Sequence, residues 1–255
     1  MKIAILQTQI EDYNIEQNLQ HFHSLLEKIE EDTQWVVLPE MFLTGFISDT
    51  SYAEQSKREG LKLMRDFAQS KGIAIEGSLI IEENGKYLNR HYFITKDKEY
   101  YYDKVHLFSL SKEAEVLSKG KERDVIVEYE EMKIKMLTCY DLRFPYSSMN
   151  RVKDDVPIYD FLVYVASWPK SRRTQWQTLL TARAIENQCF VIGVNREGLD
   201  GDNTEYSGDS CIINSRGIFL EPTHTDNSIQ YYDVDTNSLT ISRKKFPVWK
   251  DWDNI

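Results

Sequence analysis

The stretch Met132-Lys-Ile-Lys-Met-Leu-Thr-Cys-Tyr-Asp-Leu-Arg-Phe-Pro145 changes character halfway along. Its first half alternates apolar and charged residues, the period of a strand with one buried and one wetter face. Its second half sets a thiol at the end of that strand, just before a turn that carries Asp141 and Arg143. Such a corner can strain and expose a nucleophile, and N–H groups in the following turn can favour the thiolate. A lone cysteine is more often a small buried hydrophobe. Both readings of Cys139 stand at this point, and Cys189 and Cys211 keep the second.

Outward from this strand, short apolar runs recur at Ile3 to Leu6, Trp35 to Leu38, Ile73 to Ile81, Tyr92 to Ile94, Phe161 to Ala166 and Phe190 to Val194. All read as strands. Between them, helical spacing is expected over Ile15 to Glu30, Ala53 to Ser70 and Arg173 to Asn187. Many strands with a few helices imply layered sheets with the helices outside, an α/β arrangement. No repeat, Gly/Ser-rich linker or low-complexity tract divides the chain, so residues 1–255 read as one domain. The aromatic, proline-containing tail Phe246-Pro-Val-Trp-Lys-Asp-Trp-Asp253 reads as an extended C-terminal arm, starting at about residue 243, docked on this subunit or a neighbour.

The composition narrows the function. A chain of 255 residues with 41% hydrophobic content can bury a substantial core. A net charge of −10 without a Lys/Arg run disfavours nucleic acid as a partner. Three cysteines without CxxC spacing suggest neither a disulfide framework nor a thiolate zinc site, and fit a reducing cytoplasm. No apolar run approaches the roughly 18 residues that cross a bilayer, so a soluble, unprocessed chain without membrane partners is expected.

Two further segments carry chemistry. Trp35-Val-Val-Leu-Pro-Glu-Met-Phe-Leu-Thr-Gly-Phe46 puts Glu40 directly after a buried strand, among apolar residues. A carboxyl group shifted towards neutrality by such surroundings can take a proton from a thiol and return it to a leaving amine. A structural ion pair would explain it as well. In Tyr102-Asp-Lys-Val-His-Leu-Phe108, Lys104 and His106 share one face if the segment is extended, bringing a cation and an imidazole together. Taken alone, Lys104 is also readable as a solvated surface lysine.

Taken together, the three segments resemble the nitrilase superfamily of carbon–nitrogen hydrolases. Glu40, Lys104 and Cys139 follow the order of that family's glutamate, lysine and cysteine. The likeness extends through Ser167-Trp-Pro169, Ala182-Arg-Ala-Ile-Glu-Asn-Gln188, Gly193-Val-Asn-Arg196 and Tyr206-Ser-Gly-Asp-Ser210, nearly the whole chain. It implies a four-layer α-β-β-α sandwich, commonly a homodimer, with Glu40 as general base, Lys104 and the Tyr140 backbone N–H as oxyanion donors, and Cys139 as nucleophile. A second family glutamate corresponds by spacing to Glu113, with Glu115 as the fallback. No metal or organic cofactor is implied.

Within the superfamily, the compact length, the Ser167-to-Trp176 segment and the tail look most like the ω-amidase branch. That branch hydrolyses the terminal amide of 2-oxo acid amides, 2-oxoglutaramate or 2-oxosuccinamate, to the dicarboxylate and ammonia. Trp168, Arg172 and Arg173 are candidate substrate-binding residues, either arginine serving as a carboxylate clamp, while Arg143 reads as structural. A nitrilase, carbamoylase or other aliphatic amidase would keep the same catalytic residues, and a silent scaffold would keep only the fold.

Overall fold

The computed structural model describes residues 1–252; Asp253, at the end of the expected arm and domain, lies outside the described residues. In chain order the first half contains β1 (Lys2–Leu6), α1 (Ile15–Glu27), β2 (Trp35–Val37), α2 (Ala53–Lys71), β3 (Ala74–Glu83), β4 (Lys86–Ile94), β5 (Glu99–Asp103), α3 (Glu113–Val116), β6 (Ile126–Tyr129) and β7 (Met132–Thr138). The second half contains α4 (Pro145–Ser148), β8 (Val152–Lys153), β9 (Val156–Pro157), β10 (Phe161–Ala166), α5 (Arg173–Glu186), β11 (Phe190–Asn195), β12 (Glu197–Leu199), β13 (Glu205–Ser207), β14 (Cys211–Ile213), β15 (His224–Asp226), β16 (Ile229–Asp233) and α6 (Asn237–Lys245).

A seven-stranded sheet runs β15-β16-β1-β2-β3-β4-β5, and a five-stranded sheet runs β14-β11-β10-β7-β6. Strand alternation decides what each face meets. Ile3, Ile5, Trp35 and Val37 point at the second sheet, where they join Ile134, Met136, Phe161 and Val163 in one core. Trp35 meets Phe161 edge-on across the gap, with ring centroids 5.6 Å apart. The intervening Ala4, Leu6, Val36 and Leu38 point outward, under Phe22, Leu25 and Leu26 of α1 and Met64 and Phe67 of α2. On the far side α5 covers the second sheet so closely that a Cβ on Gly193 would lie 2.5 Å from Leu180 Cδ1 and 2.9 Å from Trp176 Cζ2. The layers are therefore helix, sheet, sheet, helix.

Three expectations change. The Met132–Met136 strand has no wet face at Lys135, which is fully buried and reaches Asp124 at 2.6 Å. Tyr92–Ile94 is only the end of the nine-residue β4. Its polar first half stays in the sheet because Arg90 pairs with Glu83 and Asp103, satisfying a charge that would otherwise forbid burial. The C-terminal arm is not extended at its start, since α6 runs to Lys245 before a short 3-10 turn over Val248–Asp251. It docks on its own chain. Gln188 donates to the Phe246 carbonyl and accepts from the Trp249 N–H, and Arg243 reaches Asp160.

Candidate active site

Glu40 lies just past the carboxyl end of β2, in a turn tied to β3 where the Met41 N–H donates to Ser78 Oγ at 2.9 Å. Met41 has a left-handed φ of 47°, a conformation that non-glycine residues adopt only under constraint. Both Glu40 oxygens are occupied. Lys104 Nζ and Asn89 Nδ2 each donate to Oε1 at 2.8 Å, and the Ser167 N–H donates to Oε2 at 2.8 Å.

Lys104, from the segment after β5, is fully buried and bridges Glu40 to Glu113, whose oxygens lie 2.9 and 3.1 Å from its Nζ. Glu113 is fixed in turn by the Phe108 N–H at 2.6 Å. Burial works against the Lys104 ammonium, but the charges of Glu113 and Glu40 more than offset it, so its pKa is raised and it stays protonated. Burial pushes the Glu113 carboxyl up, and the Glu40 charge adds to this against the pull of Lys104. Two carboxylates share a single cation, leaving an excess negative charge in a buried cluster.

Cys139 follows β7 and opens a 3-10 turn over Cys139–Arg143, with a left-handed φ of 44°. Only 8% of it is exposed, and its Sγ lies 3.8 Å from the carbonyl oxygen of Ser167. Ser167 thus touches the thiol through its C=O and Glu40 through its N–H. Burial raises the thiol far above its ordinary pKa, the Glu40 charge raises it further, and Lys104 opposes both. The resting sulfur is a protonated thiol that needs a base. It opens into a cavity of about 580 Å³ whose lining includes Phe46, Glu113, Tyr140, Arg143, Trp168 and Arg172. Glu40 and Lys104 lie beneath that lining. A thiol, a buried carboxylate and a fixed cation at one cavity are groups that acyl transfer can use.

A family model described as carbon-nitrogen hydrolase matches residues 2–244. The chain belongs to the carbon-nitrogen hydrolase family. Its relatives include the Omega-amidase YafV of Escherichia coli strain K12, 37% identical over all of this chain and 98% of the relative. The 2-oxoglutaramate amidase of Bacillus subtilis strain 168 is 32% identical over 98% of this chain and 96% of that one. Among solved structures, the CN-hydrolase superfamily protein XC1258 of Xanthomonas campestris, which carries an arsenic adduct in its active site, matches with a TM-score of 0.94. It is 33% identical over all of this chain and 98% of that one. The protein is therefore a hydrolase acting on carbon–nitrogen bonds other than peptide bonds, and its four-layer sandwich is that of the superfamily.

Measured against the sequence reading, this hydrolase brings Glu40, Lys104, Glu113 and Cys139 together, while Glu115 is exposed. Trp168 and Arg172 line the cavity, but Arg173 turns to Asp209 at 2.6 Å and does not reach it. Arg143, read as structural, lines the cavity with its guanidinium 4.8 Å from the Trp168 ring centroid. Arg143 is the last residue of the turn that Cys139 opens, and both ends of that turn meet the cavity. His106 does not accompany Lys104. The segment is not extended there, and the imidazole turns to Asp141 at 2.8 Å and stacks on Phe144. Asn89 and Ser167, both on Glu40, had no signal of their own, although Ser167 opens one of the segments that carried the family resemblance. Among the described residues no group of His, Cys, Asp and Glu side chains is arranged to hold a metal ion, and no helix is long and apolar enough to cross a membrane.

Proposed function

We propose that the protein is an ω-amidase that hydrolyses the terminal amide of a small 2-oxo acid amide, 2-oxoglutaramate or 2-oxosuccinamate, through a Cys139 thioester. The observation that carries this reading is the buried Lys104 bridging Glu40 and Glu113 beside Cys139, at a cavity lined by two arginines without an acidic partner among the described residues. Names of relatives point the same way: Omega-amidase in Escherichia coli, 2-oxoglutaramate amidase in Bacillus subtilis.

In the first half-reaction Glu40 takes the thiol proton while Sγ bonds to the amide carbon. The carbonyl electrons move onto oxygen, which receives hydrogen bonds from Lys104 and the Tyr140 N–H. An ammonium has three protons. One is hydrogen-bonded to Glu40 and one is shared by the two Glu113 oxygens, leaving the third for the oxyanion. The intermediate collapses as Glu40 protonates the amide nitrogen, the C–N bond breaks and ammonia leaves. Water then attacks the thioester with Glu40 accepting its proton, and the second oxyanion expels sulfur, which regains that proton. Arg143 and Arg172 are the candidate partners for the substrate carboxylate, as guanidinium groups bind carboxylates in two-pronged fashion. Trp168 forms part of the same wall. We further propose one domain acting as a homodimer in the cytoplasm.

The test is ammonia release from 2-oxoglutaramate, with glutamine, asparagine and a simple nitrile as comparisons, by wild type and Cys139→Ala. The expected result is release from the oxo-amide in preference to the others, lost in the variant. Release from another amide or from the nitrile instead would replace the substrate assignment, and undiminished release by the variant would end the thioester mechanism.

A further inference from the structure

Two residues beyond Cys139, the side chain of Asp141 is completely buried and does not line the cavity. Its Oδ2 accepts from Tyr102 Oη at 2.8 Å and from the Thr138 N–H at 3.0 Å. Its Oδ1 accepts from the His106 N–H at 3.0 Å and from His106 Nδ1 at 2.8 Å. A carboxylate offers about four acceptor sites, and here all are taken. The donors come from three places: the end of β5, the loop that carries Lys104, and the last residue before the nucleophile.

We infer that Asp141 is a positioning residue that fixes the Lys104 loop against the Cys139 turn and so sets where the ammonium stands relative to the sulfur. The loop has little other freedom. The Lys104 N–H is held by the Asn89 carbonyl at 3.0 Å, the Val105 N–H by Tyr102 Oη at 3.2 Å, and the Phe108 N–H by Glu113 at 2.6 Å. Tyr102 thus serves the loop and Asp141 together. The His106 ring lies flat on Phe144, with centroids 3.8 Å apart, closing the far end of the Cys139–Arg143 turn on the same loop. An asparagine at 141 would turn part of this all-acceptor group into a donor, setting N–H against N–H or O–H and pushing loop and turn apart. A displacement of that kind far from the reacting atoms is enough to cost about 100-fold in rate.

This inference rests on the roles proposed for Lys104 and Cys139, and the experiment separates the two. Asp141→Asn and Tyr102→Phe are compared with wild type in kcat and KM per folded molecule, and in the pH dependence of Cys139 alkylation by iodoacetamide. Expected for Asp141→Asn is a fall in kcat of about 100-fold with KM within threefold. Tyr102→Phe, which removes one of the four donors, should show a fall of severalfold. In both, the alkylation midpoint should move to higher pH, because a displaced ammonium favours the thiolate less. Lowered thermal stability with wild-type kcat per folded molecule and an unmoved midpoint would overturn the inference, and Tyr102→Phe alone decides it if Asp141→Asn does not fold. If wild type hydrolyses no amide, the proposed function fails and the alkylation midpoint still decides the positioning role.

Discussion

In the proposed mechanism Glu40 takes a proton while already accepting from Lys104, Asn89 and the Ser167 N–H. Those donors fix its direction within a fully buried setting. Glu40→Gln should therefore lower kcat by about 10²- to 10⁴-fold, the usual scale of a lost acid–base group. Because the Glu40 charge adds to burial in holding the Cys139 thiol protonated while Lys104 opposes both, removing that charge should move the midpoint of iodoacetamide alkylation in the variant to lower pH than in wild type. Hydrolysis at wild-type rates would mean that another group takes the proton, and an unmoved midpoint that the Glu40 charge does not act on the thiol. Glu40, Lys104 and Cys139 were legible because each sits in a short motif next to an apolar run, whereas Glu113 followed from spacing within the family resemblance. Asn89 was not, since it lies 49 residues from Glu40 in a polar stretch of β4 and acquires its meaning only when strands pair. Arg143 and Arg173 point elsewhere than the sequence reading placed them for a related reason: side-chain direction in a turn or a first helical residue depends on what packs against it, here Trp168 and Asp209.

At the scale of elements, the strands and helices were largely readable from period, and the errors fell where polar residues are buried in pairs. Lys135 and Arg90 both imitate a solvent-facing position in sequence and are both enclosed. What period could not convey was how tightly one layer sits on another. Gly193 of β11 faces Leu180 and Trp176 of α5, with no room for a methyl group. Gly193→Ala should lower the unfolding free energy by about 1–3 kcal/mol, the cost of overpacking a filled core. Denaturant unfolding measures it. Combining the change with Leu180→Ala should cost less than the sum of the two single changes, because the methyl group then occupies space the leucine gives up. Strict additivity would mean that helix and strand do not meet there in solution.

Over the whole molecule, Glu40 follows β2, Cys139 follows β7 and Ser167 follows β10. These three strands lie in two different sheets, so the site exists only where the sheets are stacked. The parallel strands β7 and β10 bring Cys139 and Ser167 to one end, and β2, parallel to β1 and β3, brings Glu40 to meet them. The outer layers are left to other uses. On α5, Ile185 is 51% exposed, and Ile218 and Phe219 on the neighbouring turn are 50% and 41% exposed. Gly217 comes close enough to Ile185 that its missing Cβ would lie 2.7 Å from Ile185 Cδ1, which joins turn and helix into one apolar surface. A chain of net charge −10 repels its own copies, and an apolar surface of this kind is what would offset that repulsion in self-association. The proposed homodimer is expected to use it: sedimentation equilibrium should give twice the chain mass for wild type and the single-chain mass for Ile185→Asp combined with Phe219→Asp. A dimer that survives both charges would move the contact to another face, and a wild-type monomer would remove the dimer altogether. Because neither residue lines the catalytic cavity, amide hydrolysis per folded chain in the double variant then reads whether one subunit suffices for the chemistry.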